Sequence, residues 1–209
     1  MKNLIASVLM CFWLPVMSVA EPNMIGEENS AIRTAVFAGG CFWCMQPPFD
    51  ALKAKGVIST SVGYSGGHKE NPTYEQTSAG GTGHFEVIQV TYDARKLDFK
   101  DLLSVYWKNI DPFDDKGQFC DKGEQYSSAV FYANPAEKKD VEDSIRDLEK
   151  QGIKTEKIVT KVLPLKTYYE AEDYHQSYYE KNPIRYKYYR RQCGRDSRLE
   201  EVWGSSAGH

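Results

Sequence analysis

Thr34-Ala35-Val36-Phe37-Ala38-Gly39-Gly40-Cys41-Phe42-Trp43-Cys44 joins a short apolar run to two glycines, a thiol, two aromatic rings and a second thiol. The run reads as a buried strand, and the glycines after it predict a strand-to-helix turn. Glycine lets the backbone turn sharply and lets a substrate come close. The first amides of a helix lack partners within it and favour an anion. A thiol at that turn is therefore expected to be held toward thiolate, below the free value of roughly 8.5.

Working outward, a helix is expected over Cys44 to Lys55, with Gly56 as its stop and with Pro47 and Pro48 suited only to its first turn. Val57 to Tyr64 is a β-branched strand, and Phe85 to Tyr92 is another. Between them Ser65 to Gly83 reads as a glycine-rich loop without periodicity. Asp98 can cap a helix running to about Ile110, and Asp111 to Gln125 is a second loop. Tyr126 to Ala133 is a strand. Asn134-Pro135-Ala136-Glu137 starts a helix that ends near Gly152, and Ile153 to Leu163 reads as a further strand. After Tyr168 the chain is aromatic and charged, with at most short helices. The order places the chain in the α+β class, as a ferredoxin-like split β-α-β-β-α-β two-layer core with an irregular C-terminal extension.

The first twenty residues read as a secretory signal. Lys2 gives the positive start, Ile5 to Val16 is apolar but short for a bilayer, and Ser18-Val19-Ala20 offers small residues to a peptidase. The expected organisation is a signal at 1–20, a linker at 21–33 and a single domain at 34–209, in a protein exported to the periplasm or secreted. At 209 residues with a formal net charge of -3, nothing favours nucleic acid or an anionic membrane as partner. Export would remove Cys11 and leave Cys41, Cys44, Cys120 and Cys193. One C-x-x-C without a second close pair is a weak metal signal, so no bound metal or cofactor is expected.

Period-two alternation puts His84, Glu86, Ile88, Val90 and Tyr92 on one strand face. A carboxyl on a largely apolar face is either paired or raised in pKa, and protonated beside a thiol it would serve as general acid. Tyr64 closes its strand and can donate a hydrogen bond, or it can simply pack. Asp121 lies in Phe119-Cys120-Asp121-Lys122-Gly123-Glu124-Gln125-Tyr126, where an aspartate commonly forms turns.

Gly40-Cys41-Phe42-Trp43 resembles the active-site motif of the peptide methionine sulfoxide reductase A family. Val62-Gly63-Tyr64-Ser65-Gly66-Gly67, Asn71-Pro72-Thr73-Tyr74-Glu75, Gly83-His84-Phe85-Glu86-Val87, Gln125-Tyr126-Ser127-Ser128-Ala129 and Ala171-Glu172-Asp173-Tyr174-His175-Gln176 resemble further family blocks, in family order. The resemblance implies reduction of methionine S-sulfoxide, free or in proteins, and hence repair of oxidised proteins. Cys41 would attack the sulfoxide sulfur. Glu86 would protonate its oxygen, with Tyr64 and Tyr126 also holding that oxygen. Phe42 and Trp43 would form the methyl pocket, and Asp121 would position the substrate backbone. Cys41 would become a sulfenic acid, closed by a second thiol and recycled by a thioredoxin-like reductant or a dithiol. Cys44 stands where many members have Gly, and Lys187 where many carry a recycling Cys. Cys193, Cys44 and Cys120 are the candidates for the resolving thiol.

Cys41-Phe42-Trp43-Cys44 also fits a thioredoxin-like thiol-disulfide oxidoreductase. That reading leaves Tyr64, Glu86 and Tyr126 without roles.

Overall fold

The computed structural model describes residues 31–154 and 156–208. The expected signal at 1–20 and the linker up to residue 30 lie outside the described residues. The first strand, β1 (Ile32–Gly39), leads directly into α1 (Phe42–Asp50), and a single 3-10 turn follows before β2 (Val57–Ser65). Next come α2 (Tyr74–Ser78), β3 (Phe85–Asp93) and α3 (Phe99–Lys108). The short strands β4 (Gly117–Gln118) and β5 (Asp121–Lys122) make a separate hairpin. β6 (Ser128–Tyr132), α4 (Pro135–Lys150), β7 (Lys161–Pro164) and β8 (Tyr169–Glu170) complete the αβ part. The chain ends in α5 (Tyr178–Lys181), α6 (Pro183–Gln192) and α7 (Arg195–Trp203).

The architecture is α+β around one central sheet with strand order β7-β6-β1-β3-β2-β8. Its pairs are antiparallel except β6 with β7. Alternation in β1 decides the layering. Ala35 and Phe37 join the core shared with α1, α3 and α4, whereas Val36 and Ala38 face a smaller cluster with Phe85, Val87, Ala129 and Phe131. Phe37 is fully buried and its ring stacks with Phe49, Phe99 and Tyr106. Burying one such side chain contributes about 2 kcal/mol. α3 is fixed by a capping box between Asp98 and Asp101, and α4 by Asn134, whose Oδ1 accepts the Glu137 amide at 3.0 Å. Each cap is worth about 1 kcal/mol. Glu86, Ile88, Val90 and Tyr92 lie at alternate positions of β3, and the last three belong to the helix-side core.

Several expectations are corrected. α1 begins two residues early and stops at Asp50, and Pro47 and Pro48 sit beyond its first turn. Each proline removes an amide donor, which leaves the carbonyls of Trp43 and Cys44 without their usual helical partners and keeps the helix short. The expected loop at 65–83 contains α2, stapled by a capping box between Thr73 and Gln76. Tyr126 belongs to a 3-10 turn before β6 rather than to the strand, and the strand expected at 153–163 forms only at its end, as β7. The C-terminal extension is helical rather than irregular. α6 and α7 are too short to persist alone; they hold because Tyr186 packs at Cys44 while Leu199, Val202 and Trp203 enter the main core. Trp203 anchors the end by donating Nε1–H to the Ile110 carbonyl at 2.8 Å. Among the described residues no helix is long and apolar enough to cross a membrane.

Candidate active site

Cys41 caps the N-terminus of α1 at the end of the central strand β1, and its thiol is free and 6% exposed. The glycines before it are required by geometry. Gly40 has a φ of +81°, and a Cβ on Gly39 would lie 2.6 Å from Met45 Sδ. Across the sheet, Glu86 of β3 is 2% exposed and accepts the Phe42 amide on Oε2 at 3.0 Å. Burial pushes its carboxyl up to about 8, with the charge on Asp121 and Cys44 adding to the shift and the Phe42 amide opposing it. At neutral pH the site thus holds a carboxylic acid beside the thiol.

Tyr64 is the cross-strand partner of Glu86, but its hydroxyl donates to Glu172 Oε2 at 3.0 Å. It braces the wall of the site and is not free to hold an oxygen. Tyr74 of α2 and Tyr126 are the phenols that feel both Glu86 and Cys41. Burial, then the charge on Glu86 and Cys41, pushes Tyr74 up to about 12. Burial and then Glu86, Tyr74 and Cys41 push Tyr126 higher still. Both phenols stay protonated and share one electrostatic field with the acid and the thiol. Sequence patterning missed Tyr74, although it lies in one of the matched blocks.

Phe42 is buried against Tyr64 and His175, with ring centroids 5.9 Å and 4.9 Å away. Trp43 is half-buried. Its indole stacks on Tyr178 at 3.8 Å and donates Nε1–H to His175 Nδ1 at 2.9 Å. That bond puts the proton of a neutral His175 on Nε2, which lies 3.9 Å from Glu172 Oε2. Glu172 also accepts the Tyr74 amide at 2.9 Å. One carboxylate therefore ties the Tyr64 hydroxyl and the Tyr74 amide, while His175 holds Trp43. The arrangement is an apolar aromatic wall beside a thiol, an acid and two phenol donors.

A family model described as peptide methionine sulfoxide reductase matches residues 33–207. The chain belongs to the peptide methionine sulfoxide reductase family. Peptide methionine sulfoxide reductase MsrA of Halalkalibacterium halodurans is 49% identical over 173 residues, covering 83% of this chain and 97% of the relative. Methionine sulfoxide reductase A of Corynebacterium diphtheriae has a similar structure, with a TM-score of 0.65, 34% identity and coverage of 75% of this chain and 78% of that one. Mxr1 of Saccharomyces cerevisiae in reduced form is also similar, with a TM-score of 0.69, 28% identity and coverage of 77% and 91%.

Within this family frame the four described thiols sort into two pairs. Cys41 and Cys44 are free and buried, whereas Cys193 is bonded to Cys120. Cys120 is exposed and Cys193 partly so. Asp121 lies beside that disulfide, 3.8 Å from each sulfur, and its Oδ2 accepts the Tyr189 hydroxyl at 2.6 Å. Burial raises the Asp121 carboxyl, against the pull of Tyr189 and Arg195. The expected thiolate at Cys41 is not found. Burial and the adjoining Cys44 raise Cys41 well above its ordinary value. The helix N-terminus does not compensate, because its first amide, that of Phe42, is spent on Glu86. The hydrogen bond from Cys41 lowers Cys44 to about 7, helped by Arg195 and Arg190 and opposed by burial.

Proposed function

We propose that this protein reduces methionine S-sulfoxide, free or in oxidised proteins, by the thiol of Cys41. The carrying observation is the buried acid Glu86, hydrogen-bonded to the amide next to Cys41 and raised to about 8. Sulfoxide oxygen leaves only when protonated, so an acid is required beside the nucleophile. Cys41 sulfur attacks the sulfoxide sulfur as its proton passes to Cys44. Glu86 protonates the oxygen, which Tyr74 and Tyr126 hold by hydrogen bonds. The methyl group packs against Phe42 and Trp43, where sulfur and aromatic rings attract. The protonated oxygen then passes from the methionine sulfur to the Cys41 sulfur as the transient S–S bond between them breaks, so methionine leaves with that electron pair and Cys41 becomes a sulfenic acid.

Cys44 is the resolving thiol on this reading, because it sits one helical turn away and is free while Cys193 is engaged. It closes a Cys41–Cys44 disulfide and water is released. Both sulfurs are buried, so the Cys120–Cys193 pair, at the surface beside Asp121, is where a thioredoxin-like reductant exchanges electrons with the protein. The finer assignments belong with this reading: a ferredoxin-like split β-α-β-β-α-β core as one catalytic domain over 34–209, and export to the periplasm or outside after removal of a signal at 1–20. Mass spectrometry after one turnover without reductant tests the scheme. One methionine per protein with a new Cys41–Cys44 bond is expected; no methionine, or no activity lost in Cys41→Ser, would end it.

A further inference from the structure

Tyr189 of α6 lies between the aromatic wall of the site and a carboxylate at its rim. Its ring meets the Trp43 indole edge-on, with centroids 6.0 Å apart, and packs with Tyr178 and Tyr186 around Cys44. Its hydroxyl donates to Asp121 Oδ2 at 2.6 Å. The charge of Asp121 acts on Cys41, Glu86, Tyr74 and Tyr126, so this carboxylate borders the reacting groups. A methionine side chain that enters beside Cys41 brings its backbone with it, as an amide N–H in a peptide or an ammonium in the free amino acid. Either is a donor that a carboxylate at the rim accepts. Tyr189 already occupies that acceptor.

The disulfide holds the phenol there. Oδ1 of Asp121 is 3.8 Å from the Cys120 sulfur and Oδ2 is 3.8 Å from the Cys193 sulfur. Cys120 immediately precedes Asp121, and Cys193, the C-cap of α6, follows Tyr189 by one helical turn. Phenol and carboxylate are thus joined twice, covalently through Cys120 and Cys193 and by their own hydrogen bond. A contact closed inside such a ring forms at high effective concentration, and a ligand must compete with it.

We infer that Tyr189 is a specificity-determining residue that competes with the substrate's backbone N–H for Asp121, and that the Cys120–Cys193 disulfide pins it there, so that the protein binds substrate more tightly once this disulfide is reduced. In that reduction a dithiol reductant becomes a disulfide. Its two electrons and two protons break the Cys120–Cys193 bond and leave two thiols. Tyr189 then keeps Asp121 by the hydrogen bond and its ring packing alone, and the substrate's donor displaces it more readily. Substrate is therefore taken up best by protein that already holds the electrons to finish the cycle. By linkage, bound substrate favours the dithiol to the same extent. The inference rests on the reductase reading and deepens it.

The test is a single turnover without added reductant, started from two forms that both keep Cys41 and Cys44 as thiols. One has Cys120 and Cys193 bonded and the other has them free, as verified by alkylation and mass spectrometry. Product release is followed against the concentration of N-acetylmethionine sulfoxide N-methylamide, which carries backbone N–H groups, and of dimethyl sulfoxide, which has none. For the amide, half-saturation is expected at about tenfold higher concentration in the bonded form, the ratio that one hydrogen bond to a carboxylate carries, with the maximal rate unchanged. For dimethyl sulfoxide the two forms should agree. Tyr189→Phe keeps the ring against Trp43 and loses the donor, so in the bonded form it should bring the amide to the reduced value. Cys120→Ser, in which the bond cannot form, should match the reduced form. Equal half-saturation in the two forms overturns the inference, as does a bonded Tyr189→Phe that stays weak. A difference that extends to dimethyl sulfoxide also overturns it, because the tail would then cover the whole site rather than contest Asp121. If Tyr189→Phe does not fold, the two unaltered forms and Cys120→Ser decide by the same criteria. Release of no product from either form would instead sink the reductase reading.

Discussion

The Phe42 amide donates to Glu86 Oε2 at 3.0 Å, so the carboxyl on the sheet is fixed to the first turn of the helix that begins at Cys41. This bond settles two matters together. It aims the acid at the thiol, and it uses the amide that would otherwise have favoured a Cys41 thiolate. The site is therefore poised as a protonated acid beside a thiol that burial keeps protonated.

Glu86→Gln keeps an acceptor for that amide but cannot give a proton, and its rate is expected to fall by about 10²–10⁴-fold. In the unaltered protein activity should fall as pH rises through about 8, as the acid ionises. The same shift acts on stability. The folded state holds a proton on Glu86 that the unfolded state has lost above its ordinary value near 4.5. Stability attributable to this group therefore declines from about pH 4.5 to about 8. Thermal melts should show Glu86→Gln gaining on the unaltered protein as pH is raised from 5 to 9. A gap that stays constant with pH would contradict the raised carboxyl.

Tyrosine variants should separate chemistry from support. Tyr74→Phe and Tyr126→Phe each remove a donor beside Glu86, and kcat should drop about tenfold or more in each, with a larger loss in the double variant. Tyr64→Phe removes the bond to Glu172 and should lower stability by about 1 kcal/mol while kcat changes little. Steady-state kinetics of the three single variants discriminate directly. A Tyr64→Phe with the largest kcat loss would return Tyr64 to the oxygen.

The difference between these tyrosines marks what is legible in the chain and what is not. The turn at Cys41 is written locally, in an apolar run, two glycines and a helix-compatible stretch. The start of α4 is equally local, in Asn134, Pro135 and Glu137. Glu86 is legible because strand alternation has period two. The fate of the Tyr64 hydroxyl depends on Glu172, 108 positions away, and no local rule reaches that far. Likewise Cys193 pairs with Cys120 across 73 positions, and spacing alone does not choose among four thiols. α6 is polar on most of its surface, so periodicity does not reveal a helix that exists because Tyr186 and the neighbouring tyrosines pack on Cys44.

The Cys120–Cys193 disulfide closes a long loop, and loop-closure entropy alone would make it worth about 4 kcal/mol. Cys120→Ser is expected to lower Tm and, more tellingly, to divide the reductants. Turnover supported by a small dithiol that can enter the site should persist, while turnover supported by a thioredoxin-like protein should fall at least tenfold. Parallel assays with the two reductants measure this. Equal losses with both would show that the pair serves stability only.

Gly63 connects the sheet edge to the site. It pairs with Glu170 of β8, and a Cβ there would collide with the Tyr169 carbonyl and lie 2.6 Å from the Tyr168 ring. Backbone cannot swing aside as a flexible side chain does, so Gly63→Ala must push β8 outward. Beyond β8 the chain carries Glu172, His175 and Gln176. Gln176 Oε1 accepts the Val62 amide at 2.9 Å, and its Nε2 donates to the Val62 carbonyl at 2.8 Å. Displacing this segment withdraws Glu172 from Tyr64 and Tyr74, and His175 from the Trp43 indole. Overpacking of this kind costs about 1–3 kcal/mol, which lowers Tm by roughly 2–10 °C in a chain of this size. KM for methionine sulfoxide should rise with it, since the methyl pocket loses its support. Gly80→Ala is the control. It has a φ of +82° with nothing within 4 Å, so it adds local strain and no collision. Loss of Tm without a change in KM for Gly63→Ala, matching Gly80→Ala, would show that β8 does not hold the pocket.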